Sequence, residues 1–202
     1  YTFLCRNKFE AQNSKFEKEE NSKLDKKEKT INNEEFYLVV SAFAPYKRID
    51  IAIRAFNKLG YKLKIIGTGQ EEKKLRSIAK DSIEFLGWRS DEEIKDCYNN
   101  CKALIFPGEE DFGIVPVEAM ACGMPVIAYG KGGATETVVD GVTGVLFSPQ
   151  TEEALIKAIN KTRNMKFEEK EIRKQSEKFN KDRFMKEIKE YINNKLEIRN
   201  TK

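Results

Sequence analysis

The sequence predicts an α/β domain built on a doubly wound parallel sheet, and three observations carry that prediction. Six short apolar runs recur between residues 36 and 147. Segments with helical spacing of apolar residues separate them. The runs are also nearly continuous in apolar character, the pattern of strands covered by helices on both faces. Strands alternating with helices at this spacing form βαβ units, whose crossovers make the sheet parallel.

The elements follow in order along a chain of 202 residues, a length that suits one domain with appendages and a core large enough to stand without disulfides. Residues 1–35 hold eight basic and eight acidic side chains, and from residue 11 onward their only large apolar groups are Phe16, Leu24 and Ile31. Such a stretch buries too little surface to offset its ordering entropy, so it reads as a charged connector or exposed insertion. The start at Tyr1 rather than Met suggests a piece of something longer. Strands are expected at 36–41, 63–67, 83–87, 103–107, 125–129 and 144–147, with helices at 50–59, 70–79, 91–101, 115–122 and 135–139. Ser90 followed by Asp91, Glu92 and Glu93, and Thr151 followed by Glu152 and Glu153, are helix starts: a small cap residue, then acids that suit the helix dipole. The domain is drawn at 36–160 and a helical tail at 161–202. The tail carries 14 basic and 8 acidic residues against 15 and 17 in the domain, so the basic excess of the whole chain lies in the tail. That tail is either a solvated helical face packed on the sheet or a basic surface for anionic lipid heads. Nucleic-acid binding is disfavoured, because no aromatic residues interleave at RNA-motif spacing.

Composition excludes several chemistries. There is no histidine, hence no Ser-His or Cys-His nucleophile pair and no His-containing zinc site. Cys5, Cys97, Cys101 and Cys122 form no C-x-x-C motif and no disulfide framework, which points to a reducing compartment, the cytosol. Cys97 and Cys101, four apart on one helix face, read as small apolar side chains rather than a ligand pair. Mean hydropathy is −0.62, no apolar run approaches the ~18–20 residues of a membrane span, and no signal peptide is visible.

In a doubly wound sheet ligands collect at the carboxyl ends of the strands. Gly67-Thr68-Gly69 sits at such an end, but Glu72 stands where a dinucleotide fingerprint needs its third glycine. Gly130-Lys131-Gly132 lacks the spacing of a P-loop, and no D-x-D is present to hold a metal against a diphosphate. The informative segment runs from Phe106 to Ala128. A strand ends, a glycine-containing loop follows, and a helix opens near Gly113, with Pro116 tolerated in the first turn. The backbone N–H groups of Phe112, Gly113 and Ile114 would face an anion with the helix dipole behind them. Glu110 and Glu118 bracket that site at E-x7-E spacing. Each alone reads as an ordinary loop or helix acid. Together they suit acceptance of vicinal hydroxyls on either side of a phosphate site, as a nucleotide sugar would present.

These motifs, with Gly132-Gly133-Ala134-Thr135-Glu136 and the segment Val40 to Phe56 (Ala44-Pro45-Tyr46-Lys47-Arg48-Ile49-Asp50 at its centre), resemble the donor-binding half of the retaining family-4 glycosyltransferases. The form of that segment, and Glu109-Glu110-Asp111-Phe112-Gly113, is similar to surface-polysaccharide mannosyltransferases. The resemblance implies a Rossmann-like domain, the C-terminal half of a GT-B fold. It implies that Lys47 neutralises the donor diphosphate and that Glu110, with the backbone at Phe112 and Gly113, holds the hexose; these two are the candidate catalytic residues. Glu118 would take the ribose hydroxyls and Gly67 would line the phosphate crevice. Gly87 and Trp88 would border the base, although Trp88 equally suits core packing. The implied donor is GDP-mannose, with neither metal nor other cofactor. The acceptor, a glycan or a lipid-linked group, would be held by an N-terminal domain absent from this chain. The family's Arg, five positions before the Lys, is Ala42 here, which implies either weakened catalysis or that Arg48 substitutes. Two other readings remain, a nucleotide-sugar-binding module without turnover and, less favoured, a nicotinamide oxidoreductase.

Overall fold

The computed structural model describes residues 35–200; the connector expected at 1–35 lies almost wholly outside them. Six parallel strands form one sheet: β1 (Phe36–Val40), β2 (Lys62–Ile66), β3 (Ile83–Gly87), β4 (Leu104–Phe106), β5 (Val126–Tyr129) and β6 (Gly144–Phe147), in the order β3-β2-β1-β4-β5-β6. The order reverses between β1 and β4, and the loops leaving the carboxyl ends of those two strands flank the crevice where such sheets bind ligands. The doubly wound, Rossmann-like fold is as the sequence predicted.

Alternation within each strand explains the continuous apolar runs. Tyr37 and Val39 of β1, Ile105 of β4 and Ile127 of β5 enter a core on one face. Their neighbours Phe36, Leu38, Leu104, Phe106, Val126 and Ala128 enter a second core on the other. The first face is covered by α1 (Ile49–Leu59) and α6 (Glu152–Arg163), the second by α3 (Asp91–Asn100) and α4 (Ile114–Ala121). The remaining crossovers are α2 (Glu72–Ile78) and α5 (Ala134–Thr137). Both expected caps form. Ser90 Oγ accepts from Glu93 N while Glu93 Oε2 accepts from Ser90 N, a complete capping box, and Thr151 Oγ1 accepts from Ala154 N. Helix α1 ends at Gly60 with φ 70°, a left-handed cap that glycine adopts without strain.

The boundary drawn at residue 160 can be placed on the structure. It falls inside α6, whose Leu155, Ala158 and Ile159 are buried in the first core. The next helix, α7 (Glu169–Glu177), packs on α4: Ile172 enters the second core, and Arg173 donates to the carbonyls of Ala121 and Cys122 at the end of α4. A cation there satisfies carbonyls that the helix leaves unpaired and complements its dipole. The last helix, α8 (Lys181–Asn200), has residues 181–193 all exposed, although Lys181, Phe184 and Glu187 of its first turns border a hollow beside α4.

Phe56 of α1 is fully buried and meets Tyr37 edge-on at 5.1 Å between ring centroids. Phe56→Ala is expected to destabilise the fold by about 3–5 kcal/mol. Urea unfolding measures it, and a loss below about 1 kcal/mol would show that the first core is not continuous across α1.

Candidate functional site

The switch-point crevice holds a pocket of about 630 Å³ lined by Val40, Ser41, Ala42, Tyr46, Lys47, and the run from Glu109 through Val115. The residues come from two loops, one after β1 and one after β4, which the folding of the backbone presses together. A 3-10 turn at Pro45–Lys47 leads into α1 through Arg48, the only non-glycine residue of positive φ among those described (φ 51°, ψ 35°). That conformation costs of order 1–3 kcal/mol and turns the chain sharply right after Lys47. Gly108 makes the approach possible, since a Cβ there would stand 2.9 Å from Lys47 Cα and 3.0 Å from its carbonyl oxygen. Gln150 ties the arrangement from the β6–α6 loop, donating to the Pro107 carbonyl (2.8 Å) and accepting from the Arg48 guanidinium (3.3 Å).

The result is that Lys47 Nζ and Glu110 Oε1 form an ion pair at the pocket wall, with side chains only 14% and 24% exposed. Gly113 caps α4 with φ 80° and ψ 76°. A helix leaves its first N–H groups without intrahelical partners, and here those of Ile114 and Val115 belong to residues that line the pocket, while Pro116 has none to offer. One ammonium and one helix N-terminus therefore serve the same hollow, the two features that attract an anion. The loop between them is propped from behind. Gly133 N donates to Glu110 O at 2.8 Å, and Cβ atoms added at Gly132 or Gly133 would meet the backbone of Glu110 or Phe112 well inside 3.0 Å.

Of the residues the sequence singled out, Lys47, Glu110, Phe112, Gly113 and Ile114 meet in this pocket. Glu118, one helical turn further along α4, borders an adjoining hollow of about 460 Å³ that shares Phe112 and Ile114 as its wall. Gly67 does not line the pocket. With Gly69 it packs on the backbone of Ser41 and Phe43, which forbids a Cβ at either position, and Phe43 N donates to Thr68 O at 2.9 Å. The glycine loop thus supports the wall that carries Ser41 and Ala42. Gly87, with φ 70° and no neighbour near its missing Cβ, accepts from Gly67 N at 2.9 Å. Trp88 is 75% exposed at the carboxyl end of β3, so core packing is not its role. Arg48 does not take the place of the missing guanidinium in this arrangement: its side chain reaches Asp50 (3.2 Å) and Gln150 rather than the pocket, because the left-handed turn that presents Lys47 aims the next residue away. Ala42 itself lines the pocket.

Two participants escaped the sequence reading. Gln150 is one. The other is Tyr98, 3% exposed, whose hydroxyl donates to Glu118 Oε2 at 3.3 Å. Burial raises the Glu118 carboxyl above its ordinary value of 4.5; the Tyr98 hydrogen bond works against the rise and the Asp91 charge adds to it. A carboxyl raised in the folded state binds its proton more tightly there than in the unfolded chain. Stability is therefore greatest below the unfolded value and falls as pH climbs through the folded one. Glu118→Gln is expected to remove that fall, making the protein more stable at neutral pH than the unchanged chain while the two converge in acid. Urea unfolding at pH 4 and pH 7 checks it; equal stabilities at pH 7 would show that Glu118 ionises without cost.

Comparison with known proteins gives this geometry its context. The family model described as glycosyl transferases group 1 matches residues 20–195. The chain belongs to the glycosyl transferases group 1 family. It is 41% identical over 116 residues to an uncharacterized glycosyltransferase of Methanocaldococcus jannaschii, covering 55% of this chain and 33% of that protein. It is 49% identical over 71 residues to the alpha-1,3/1,6-mannosyltransferase ALG2 of Dictyostelium discoideum, covering 33% of this chain and 17% of that one. Among solved structures, Anabaena HepE in complex with UDP superposes with a TM-score of 0.64 at 27% identity, over 82% of this chain and 49% of that chain. HepE in complex with UDP and glucose gives 0.60 at 28%, over 71% and 42%. The chain thus spans between a sixth and a half of the length of these group 1 relatives. The six-stranded parallel, Rossmann-like sheet seen here matches GT-B glycosyltransferase structures over these shared parts.

Proposed function

We propose that this chain is the donor-binding half of a retaining glycosyltransferase that moves a hexose from a nucleotide sugar to a glycan or lipid-linked acceptor. The single observation that carries the reading is the shared pocket: the Lys47 ammonium, the Glu110 carboxylate and the N-terminus of α4 face one hollow at the switch point of the sheet. A diphosphate bound there would draw Lys47 from Glu110, and the freed carboxylate would accept sugar hydroxyls. Charge developing on the departing diphosphate would be met by the ammonium and the helix N–H groups, already oriented and partly shielded from water. The acceptor hydroxyl would attack the anomeric carbon from the face the nucleotide leaves, with no metal or other cofactor taking part. Glu118, in the adjoining hollow, would hold the ribose.

Mannosyltransferase relatives support mannose as the sugar, with GDP-mannose the donor to test, and the HepE complexes make UDP-glucose the competitor. Calorimetric titration with both, followed by an assay for released nucleoside diphosphate, separates the alternatives. Saturable binding of one donor without turnover is expected of this chain by itself, the behaviour of a binding module whose acceptor domain lies elsewhere. Absence of saturable binding for either donor contradicts the reading.

A second reading concerns the tail. Phe184, Met185, Ile188, Tyr191 and Ile192 are all exposed on one side of α8, within a tail of basic excess. No described helix is long and apolar enough to cross a membrane, but this face suits peripheral contact with anionic lipid on the cytoplasmic side. Co-sedimentation with phosphatidylglycerol vesicles, lost in Phe184→Glu, tests it; an unchanged bound fraction removes α8 from the contact.

A further inference from the structure

We propose that Tyr98 is a positioning residue for nucleotide recognition: its phenol fixes the Glu118 carboxylate so that the free lone pairs of that group meet the ribose hydroxyls. The inference rests on the reading of Glu118 as the ribose acceptor and adds a residue that no motif marks. Tyr98 is the one buried residue of α3. It stands among Leu104, Val117, Met120 and Cys122 in the second core, a setting in which phenylalanine or leucine would pack without carrying a polar atom inside. A phenol hydroxyl placed there costs free energy unless it is bonded, and its partner is Glu118 Oε2. No buried side-chain nitrogen or oxygen among the described residues is left without a partner, and the partner of this hydroxyl is the Glu118 carboxylate.

The chemistry of the pair is one-directional. A phenol at neutral pH carries one proton to give, and burial pushes the Tyr98 phenol well above its ordinary value, so it remains a donor. An ionised carboxylate has about four acceptor sites; Tyr98 takes one and leaves the others for the two hydroxyls of a ribose. The bond also holds a side chain that would otherwise sample several rotamers, so the ordering is done before the ligand arrives. The 3.3 Å separation exceeds the common O–H···O distance of about 2.7–2.8 Å, and hydrogen bonds of this kind tighten when the ligand is in place.

The test uses GDP and UDP with their 2′-deoxy counterparts, titrated calorimetrically into the unchanged chain, Tyr98→Phe, Glu118→Ala and the double variant. Tyr98→Phe keeps the ring and the core, and thermal melting verifies that it folds. The unchanged chain should bind the ribonucleotide about tenfold more tightly than the deoxyribonucleotide. Tyr98→Phe should lose most of that ratio while its affinity for the deoxyribonucleotide stays within about twofold, a split that general loosening of the fold would not produce. In the Glu118→Ala background the same change should have no further effect on the ratio. A full ratio retained in Tyr98→Phe, or a loss that persists when Glu118 is already absent, overturns the role of Tyr98 alone. A ratio near one in the unchanged chain overturns the ribose reading of Glu118 and this inference with it.

Discussion

Lys47→Ala is expected to weaken binding of the donor by about 100-fold, equivalent to about 2.7 kcal/mol. Two effects add. The variant removes the ammonium that lines the pocket, which on the proposed reading makes a charge-assisted contact to the diphosphate worth about 1.5–3 kcal/mol. It also leaves Glu110, now without its partner, as an uncompensated negative charge beside a dianionic bridge. The two reinforce one another because the pocket wall carries Glu109 and Asp111 as well. Lys47→Arg should recover part of the loss, since charge survives but the pocket was shaped to a compact ammonium. Thermal stability should also fall in Lys47→Ala, because the pair is mostly buried and the variant leaves the Glu110 carboxylate without its partner, and it should fall less in Lys47→Arg, which keeps a cation there. Calorimetry measures the effect; an unchanged dissociation constant in Lys47→Ala would remove the residue from the site.

Gly133→Ala is expected to have the other large effect, this time on the fold and the site together. Gly133 has an ordinary right-handed backbone (φ −59°), so alanine brings no dihedral strain. The obstacle is the backbone of Phe112, whose Cα, C and O would all crowd a Cβ. Backbone yields less readily than a flexible side chain, so overpacking there should cost about 3 kcal/mol and lower the melting temperature by about 10 °C. The strain is relieved by moving the loop from Glu110 to Phe112, so donor affinity should fall with stability. Gly130→Ala is the control: its nearest neighbour would lie at 3.5 Å, and a shift of no more than about 2 °C is expected. Equal melting temperatures for both variants would show that the Gly132–Gly133 segment does not brace the site.

The difference between these two predictions marks what could be seen in the sequence. The central strands β1, β4 and β5 were legible because both their faces are buried, which leaves an uninterrupted apolar run, while β2 and the edge strand β3, interrupted by Lys62, Lys64 and Glu84, were legible from the apolar residues that remain. That Lys47, Glu110 and Gly113 would meet in one hollow was legible because the loops carrying them leave the carboxyl ends of neighbouring strands at the switch point of the sheet. Bracing contacts were not. Gly108 against Lys47, Gly133 against Phe112 and Gln150 against Pro107 join residues from separate βα units, and local spacing says nothing about how closely two backbones pass. The side chain of Arg48 could not be placed from sequence for the same reason: its own left-handed backbone directs it to Asp50 and Gln150. Tyr98 did leave a signal. Ile94 and Tyr98 on α3 and Cys101 at its C-cap fall at i, i+4 and i+7, the core-facing stripe, and a phenol on such a stripe requires a polar partner. The tail divided in a way composition could not show, because α7 and α8 are both rich in charge and only α7 carries Ile172 and Arg173 toward α4.

The central claim is that a diphosphate sits between Lys47 and the first turn of α4. Backbone amide NMR shifts recorded while GDP-mannose or UDP-glucose is titrated into the chain test it most directly. The largest shifts should fall on the amides of Gly113, Ile114 and Val115 and on Lys47, saturating together. Saturating shifts that leave α4 untouched and concentrate on the Gly67–Gly69 loop would contradict it.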